Sequence, residues 1–214
     1  MASQVLPRRG GLQFAGFIGS GGLGTPPIIA LPVITNQTLA LFEGDALTKA
    51  SDGSLYPATA GDAVAISHVM VSVKQYRDAG ANAPRTGCFL PAATTYTGSM
   101  DKSNKMCSLV LAVPTDHTLW AVQVPTAAAT KVAAMNLVGQ TVNIVATAGS
   151  TANGQSGHTT DTVANFKAPG DATHGQLLLV DIKQYDIMGR VNDPTQTYWE
   201  GIFRVNPALL GSYI

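Results

Sequence analysis

Histidine and aspartate pairs are the residues of this chain that come closest to acid–base or metal chemistry. Three pairs occur in the sequence: Asp116–His117, His158–Asp161 and Asp171–His174. A histidine beside a carboxylate can act as a general base or as a metal ligand. All three pairs lie in or beside turns rich in Gly, Thr and Pro, where His and Asp commonly cap backbone groups. None has a metal-binding spacing such as His-Glu-x-x-His, so the sequence predicts no catalytic residue and no metal site.

Two further motifs could carry chemistry, but each lacks part of its pattern. Ser156 lies in Asn153-Gly154-Gln155-Ser156-Gly157, which does not match the Gly-x-Ser-x-Gly turn of a nucleophilic serine. The run from Gly19 to Gly24 matches Gly-x-Gly-x-x-Gly, but Pro26 and Pro27 follow where a phosphate-binding helix would have to begin. We therefore expect no enzymatic activity and no cofactor.

Cys88 and Cys107 are the two cysteines of the chain. They have no Cys-x-x-Cys spacing and no nearby histidine pair, so a zinc site is not expected. Two buried free thiols are the default interpretation, and a disulfide between paired strands stays open. His68 lies inside an apolar stretch and is predicted to be a strand residue rather than a ligand.

The chain is poor in charge and electrically balanced. Only 12% of its 214 residues are charged, and 13 basic residues match 13 acidic ones. This balance favours neither nucleic acid nor an anionic membrane as a partner. No stretch of about 18 apolar residues occurs, so no membrane span is expected. Low charge is typical of surfaces covered by neighbouring subunits, although an uncharged polar surface rich in Ser, Thr, Asn and Gln would give the same composition.

The elements that position these residues are mostly β-strands. Short apolar segments alternate with Asp-Gly and Gly-Asp turns from residue 38 onward, as in hairpins. A meander is predicted over 39–71, and the clearest hairpin joins 108–113 to 118–124 through a turn at 114–117. Later strands are expected at 141–145, 177–182 and 201–205. One short helix is predicted over 127–138, capped by Thr126 and ended by Gly139. Four aromatic residues are expected in the core: Trp120, Tyr198, Trp199 and Phe203.

The N-terminal region differs in composition from the rest of the chain. Residues 1–35 are rich in Gly and Pro and show no strand or helix period, so they are predicted to form an extended arm on a β-rich domain of residues 36–214. The arm also contains many large apolar side chains, and burying each contributes about 1.5–3 kcal/mol. We therefore expect the arm either to fold back on the domain or to lie on a partner.

Several segments resemble one family of viral proteins. Two Gly-Asp pairs each open a strand, and a short turn followed by a Pro-Ala pair lies between the two Gly-Asp pairs. The three segments of this pattern are 41–47, 52–58 and 61–67. The loop Gly154-Gln155-Ser156-Gly157 and the ending 199–206 add to the pattern. Together they resemble the tailed-phage capsid decoration (cement) proteins.

This resemblance implies a mostly β protein with a single compact β-barrel or β-tulip-like domain, an extended N-terminal arm and one short helix. It implies a homotrimer on the capsid exterior that binds the major capsid protein and stabilises contacts between its subunits. The virion would be its location after assembly in the host cytoplasm. The arm would be the clamp, with six candidate contact residues: Arg8, Arg9, Phe14, Phe17, Ile28 and Ile29. Two alternatives stay open: a tail, neck or head-fibre component of a virion, and a carbohydrate-binding β-module with exposed Trp or Tyr side chains.

Overall fold

The computed structural model describes residues 10–19, 24–33, 39–61, 65–76, 86–87, 89–92, 108–168, 175–186 and 189–210. Within these ranges the chain is mostly β, which confirms the predicted fold class. Predictions for six residues fall outside the described ranges: Arg8, Arg9, Cys88, Cys107, Asp171 and His174.

The described part of the chain contains fourteen strands, two short α-helices and one 3-10 turn. In chain order the elements are β1 Gln13–Phe17, β2 Ile29–Pro32, β3 Leu41–Phe42, β4 Ala46–Lys49, β5 Leu55–Pro57, β6 His68–Gln75, β7 Phe89–Leu90, β8 Leu109–Pro114, β9 Thr118–Val124, α1 Lys131–Met135, β10 Thr141–Val142, β11 Ile144–Val145, β12 Thr159–Thr160, the 3-10 turn Val163–Asn165, β13 Leu177–Ile182, β14 Trp199–Val205 and α2 Pro207–Leu210.

Ten strands form two five-stranded antiparallel sheets. The first sheet has the order β1-β9-β14-β13-β10, and the second has the order β2-β8-β6-β4-β5. Two smaller sheets pair β3 with β7 and β11 with β12. The described strands therefore form open sheets, and no closed barrel is present among them.

The second sheet is the middle layer of the fold, because successive side chains along its strands point to two different cores. One core lies between the two large sheets and includes Ala46, Val69, Val113, Trp120, Val122, Leu179 and Phe203. The other core lies on the opposite face of the second sheet and includes Leu41, Leu47, Met70, Leu90, Val110 and Ala112. Both faces of this sheet are therefore buried, with the β3–β7 pair over the second face.

The predicted hairpin of β8 and β9 is wrong. The two strands lie where the sequence placed them, but β8 pairs with β2 and β6, whereas β9 pairs with β1 and β14. Thr115 holds the turn to the second sheet, since its N–H donates to Ser67 and its hydroxyl donates to Ile66. The chain thus crosses from one sheet to the other, and Val113 and Trp120 meet in the core between them.

The predicted meander is correct in its first half. β4 and β5 pair as a hairpin around Gly53, whose φ of +87° fits the predicted turn. β6 begins at His68, and it pairs with β4 instead of β5. β4 therefore lies between β5 and β6, the two strands that follow it in the chain, so the order differs from that of a simple meander.

The predicted helix is shorter than expected, and its cap is a different threonine. α1 begins after Thr130, whose hydroxyl accepts a hydrogen bond from the Ala133 N–H at 3.0 Å. Thr126 has other partners, because its hydroxyl accepts from the Val163 N–H and its carbonyl from Trp199. A second short helix, α2, was not predicted. Neither described helix has the length and apolar character needed to cross a lipid bilayer.

The described parts of the predicted arm contribute an edge strand to each large sheet. β1 pairs with β9 and β2 pairs with β8, both antiparallel. Leu12 is buried in the core between the sheets, and Val33 is buried in the other core. These parts of the arm therefore pack on the domain, while the division of the chain at residue 35 stays a prediction.

Candidate functional site

The six candidate contact residues fall into three groups. Phe14 and Phe17 lie on β1 and are half-buried, with their ring centroids 5.2 Å apart. Phe14 also packs edge-to-face on Trp120, with a centroid distance of 6.0 Å. These two rings thus contribute to the packing of the domain itself. Arg8 and Arg9 lie outside the described residues.

Ile28 and Ile29 form the exposed group. Their side chains are 47% and 38% exposed, at the start of the edge strand β2. Two neighbouring isoleucines in this state leave apolar area in water that an interface could bury. Of the predicted contact residues that are described, these two are the ones available to a partner.

Three segments that are distant in sequence meet where the described chain begins. We call this contact the N-terminal junction, and it consists of residues 10–12, 42–46 and 154–158. Four main-chain hydrogen bonds hold it together: Gly11 N–H to His158 C=O at 2.8 Å, Leu12 N–H to Gly44 C=O at 2.8 Å, Ser156 N–H to Glu43 C=O at 2.9 Å and Glu43 N–H to Gly154 C=O at 2.9 Å. Two of the segments that carry the family resemblance, 41–47 and 154–157, are therefore neighbours in the fold.

Glycines make this close contact possible. A side chain at Gly10 would collide with the main-chain carbonyl of Ser156. Gly11 and Gly44 have φ angles of +89° and +88°, in the left-handed region that L side chains rarely adopt. Gly44, part of the Gly-Asp pair that the sequence singled out, is thus required by the backbone of the junction.

A buried polar cluster lies inside the junction. His158 Nε2 is 3.4 Å from Asp45 Oδ1, and the two side chains are only 6% and 5% exposed. The other ring nitrogen of His158, Nδ1, accepts the Ala46 N–H at 3.3 Å. Asp45 Oδ2 accepts the Phe42 N–H at 2.8 Å, and Ser156 Oγ accepts the His158 N–H at 3.0 Å. The cluster therefore ties residues 154–158 to residues 42–46.

Burial controls the charge of this cluster. It raises the pKa of Asp45 above the ordinary value, against the opposing effects of His158 and of hydrogen bonds from Ser156 and Phe42. Burial likewise lowers the pKa of His158, against the attraction of the Asp45 carboxylate. His158 is therefore uncharged at neutral pH. Because Nδ1 accepts a backbone N–H, the single ring proton is on Nε2, facing Asp45.

The cluster contains Ser, His and Asp, but their arrangement is not that of a nucleophilic triad. In a triad one ring nitrogen accepts the serine proton while the other donates to the carboxylate. Here the acceptor nitrogen of His158 is occupied by the Ala46 N–H, and Ser156 Oγ interacts with Asp45 and with the backbone. No ring nitrogen is left to deprotonate Ser156, so the cluster serves to join residues 42–46 and 154–158.

A cleft of about 200 Å³ opens beside the junction. Phe14, Trp120 and Gln155 contribute to its wall, and Glu43 is the one titratable side chain among the described residues that line it. A lone exposed carboxylate supplies no acid–base pair. The cleft therefore gives no support to a catalytic role.

The other histidines lie apart from the junction. His117 is exposed beside Asp116, with 3.6 Å between Nε2 and Oδ2. His68 is buried on β6, as predicted for a strand residue, and its Nδ1 lies 2.9 Å from Ser67 Oγ. Within the described ranges, no group of three or more His, Cys, Asp or Glu side chains is placed to hold a metal ion.

Sequence reasoning paired His158 with the wrong aspartate. Asp161 uses its carboxylate to accept the N–H of the adjacent Thr162 at 2.7 Å, and Asp45 is the residue that faces His158. The Gly44-Asp45 pair and the Gly-Gln-Ser-Gly loop were both visible as motifs. Their contact was not predictable, because no local pattern indicates which distant turn lies opposite.

The predicted core aromatics are confirmed for three of four residues. Trp120 and Trp199 are each 2% exposed, and Phe203 is fully buried. Tyr198 is half-buried and has a φ of +61°, the one positive φ of a non-glycine residue in the described chain.

Comparisons of the chain with protein-family models, with curated proteins and with solved structures find no match.

Proposed function

We propose that this chain is a structural virion protein that binds the outside of a phage capsid as a trimer and stabilises contacts between major capsid subunits. The proposal starts from the resemblance of its Gly-Asp segments to capsid decoration proteins. One structural observation supports it most directly: Ile28 and Ile29, adjacent residues where the edge strand β2 begins, are both exposed. An apolar pair at the rim of a charge-poor protein is suited to a lasting protein contact.

Anchoring of the N-terminal region supports a role in attachment. A segment can transmit force between two subunits only if it is held firmly at one end. The N-terminal junction and the pairing of β1 with β9 supply that hold. A trimer would present three such attachment points, so that modest contacts combine into strong retention.

The described residues give no support to the alternative of a carbohydrate-binding β-module. Such a module needs aromatic side chains exposed together on one face, whereas Trp120 and Trp199 are buried. Tyr185 is exposed, but it lies in the loop before β14 and is paired with Val191. A tail, neck or head-fibre role shares the same features and differs in the particle that the protein joins.

The proposal is tested by the mass of the full chain in solution and by its binding to undecorated capsids. We expect a trimer that binds capsids, and we expect the double variant Ile28→Ser/Ile29→Ser to bind at least about tenfold more weakly, because roughly 1.4 kcal/mol of lost burial suffices for that factor. The matched control is Val132→Ser/Met135→Ser, which removes another exposed apolar pair, 69% and 54% exposed on α1, and should leave binding unchanged.

Two outcomes would overturn the proposal. A monomer that does not bind capsids would remove it, and binding to isolated tails alone would favour the tail, neck or fibre alternative. The variant Arg8→Ala/Arg9→Ala tests the remaining candidate contacts, with weaker binding expected if the basic pair meets an acidic capsid surface.

A further inference from the structure

The buried histidine of the N-terminal junction lies where a change in its charge would act on the contacts of residues 10–12. We propose that acid detaches residues 10–12 from residues 42–46 and 154–158 by protonating His158. The proposal concerns the free protein. Its use in capsid attachment would rest on the function proposed above.

The geometry of the ring leaves no room for a second proton. His158 Nδ1 accepts the Ala46 N–H at 3.3 Å. A proton on Nδ1 would place two N–H donors against each other, and the Ala46 N–H would lose its acceptor while still buried. The Nε2 atom already faces Asp45. The imidazolium ring therefore fits only if it moves or residues 154–158 move.

Movement at His158 acts directly on the N-terminal segment. The main-chain carbonyl of His158 accepts the Gly11 N–H, and Ser156 packs against Gly10 so closely that a side chain at Gly10 would collide with it. The remaining main-chain hydrogen bond, from the Leu12 N–H to the Gly44 carbonyl, is adjacent to Asp45, while the Leu12 side chain packs in the core between the sheets. All contacts of residues 10–12 in the junction thus depend on the two segments that His158 holds together.

The charges around His158 do not compensate a buried imidazolium. Asp45 is the carboxylate that faces the ring, and Glu43 on the same segment is exposed. No titratable side chain comes from residues 10–12, from residues 147–149 or from Val69, Met70 and Val71 of β6. Burial lowers the pKa of His158 from 6.5 despite Asp45, so detachment is expected below the ordinary histidine range. Because burial also raises the pKa of Asp45, acid weakens this single counter-charge as well.

Hydrogen exchange of the full-length protein tests the proposal. Peptides that include residues 10–12 are compared with peptides from β14 at pH 7.0 and pH 4.5, after correction for the intrinsic exchange rate. We expect at least about a tenfold faster exchange of the N-terminal amides at pH 4.5, with β14 unchanged.

Two variants separate His158 from general acid sensitivity. In His158→Asn the side-chain oxygen can accept the Ala46 N–H without titrating, so the pH effect should disappear. In His68→Asn, which removes the other buried histidine among the described residues, the N-terminal effect should persist. Equal exchange at both pH values, or the same acid effect in His158→Asn as in the unmodified protein, would overturn the proposal. So would an exchange increase that β14 shares, because that indicates global unfolding.

If His158→Asn does not fold, an NMR titration of the unmodified protein decides the question. The His158 ring and the Gly11 amide should then change with one common midpoint, and separate midpoints would overturn the proposal. Capsid binding at pH 7.0 is measured independently. If the protein does not bind capsids, the proposed function is wrong but the acid detachment is unaffected. If acid does not speed exchange of the N-terminal amides, the detachment is wrong but the proposed function is unaffected.

Discussion

His158 Nε2 faces Asp45 Oδ1 at 3.4 Å in a site almost closed to solvent. The histidine follows a glycine-rich loop and the aspartate follows the turn at Gly44, so the pair joins two turns that are remote in sequence. Each partner also accepts a backbone hydrogen bond. His158 accepts the Ala46 N–H from the opposite turn, and Asp45 accepts the Phe42 N–H from its own turn. The pair therefore joins residues 42–46 to residues 154–158, the two segments whose main-chain carbonyls accept the Gly11 and Leu12 N–H groups.

Asp45→Asn should lower the free energy of unfolding by about 1–3 kcal/mol. The carboxylate accepts the Phe42 N–H and faces the Nε2 proton of His158, whereas an amide has one acceptor and one donor end. One buried donor would therefore face another. Urea unfolding measures the change, with the exposed Asp116→Asn as a control that should match the unmodified protein. A loss below about 0.5 kcal/mol in Asp45→Asn would contradict this account.

Trp199→Phe should destabilise the protein more than Trp120→Phe, by about 1–2 kcal/mol. Both rings are equally buried, but Trp199 Nε1 donates to the Thr126 carbonyl at 2.9 Å. The Nε1 atom of Trp120 has no hydrogen-bond partner among the described residues, so its loss leaves no acceptor unsatisfied. Chemical denaturation of the two variants gives the comparison directly. Equal losses would mean that packing alone decides both values.

Stability should fall as the pH drops from 6.5 toward 4, in part because of His68. Burial, followed by the nearby Lys49, lowers the pKa of His68 to about 4, against the weaker effect of Asp116. The unfolded chain therefore binds the proton first, and this contribution is fully present above pH 6.5 and lost on acidification. His68→Asn should flatten this part of the curve in urea unfolding at several pH values. A curve for His68→Asn identical to that of the unmodified protein would refute the assignment.

Tyr198 should tolerate glycine better than alanine. Its φ of +61° costs an L residue about 1–2 kcal/mol, a penalty that glycine does not have. Tyr198→Gly should thus be more stable than Tyr198→Ala by about 1 kcal/mol in thermal or urea unfolding. At the neighbouring Thr197, which has no positive φ, alanine should be the better of the two. If alanine is more stable than glycine at position 198 as well, the backbone at 198 is not strained.

Local patterns predicted the β class and several individual elements correctly. The hairpin of β4 and β5, the strand β13 and the burial of Trp120, Trp199 and Phe203 all follow from the spacing of apolar and turn residues. The cap of α1 was misassigned because Thr126 and Thr130 look alike in sequence. Only the contacts of Thr126 with Trp199 and Val163 show that it is used elsewhere.

The sequence by itself determined strands such as β4, β9 and β13, because alternation and turn chemistry depend on neighbouring residues, but it did not indicate β1 and β2. It did not determine which strands pair. The segment 108–124 has the pattern of a hairpin, yet its two strands belong to different sheets because each finds both of its partners far away in the chain. The Asp45–His158 pair was likewise decided by tertiary structure, since its geometry exists only once residues 10–12, 42–46 and 154–158 have come together. Strand pairing and the Asp45–His158 contact depend on long-range hydrogen bonds and shared burial. Neither has a signature in a short window of residues.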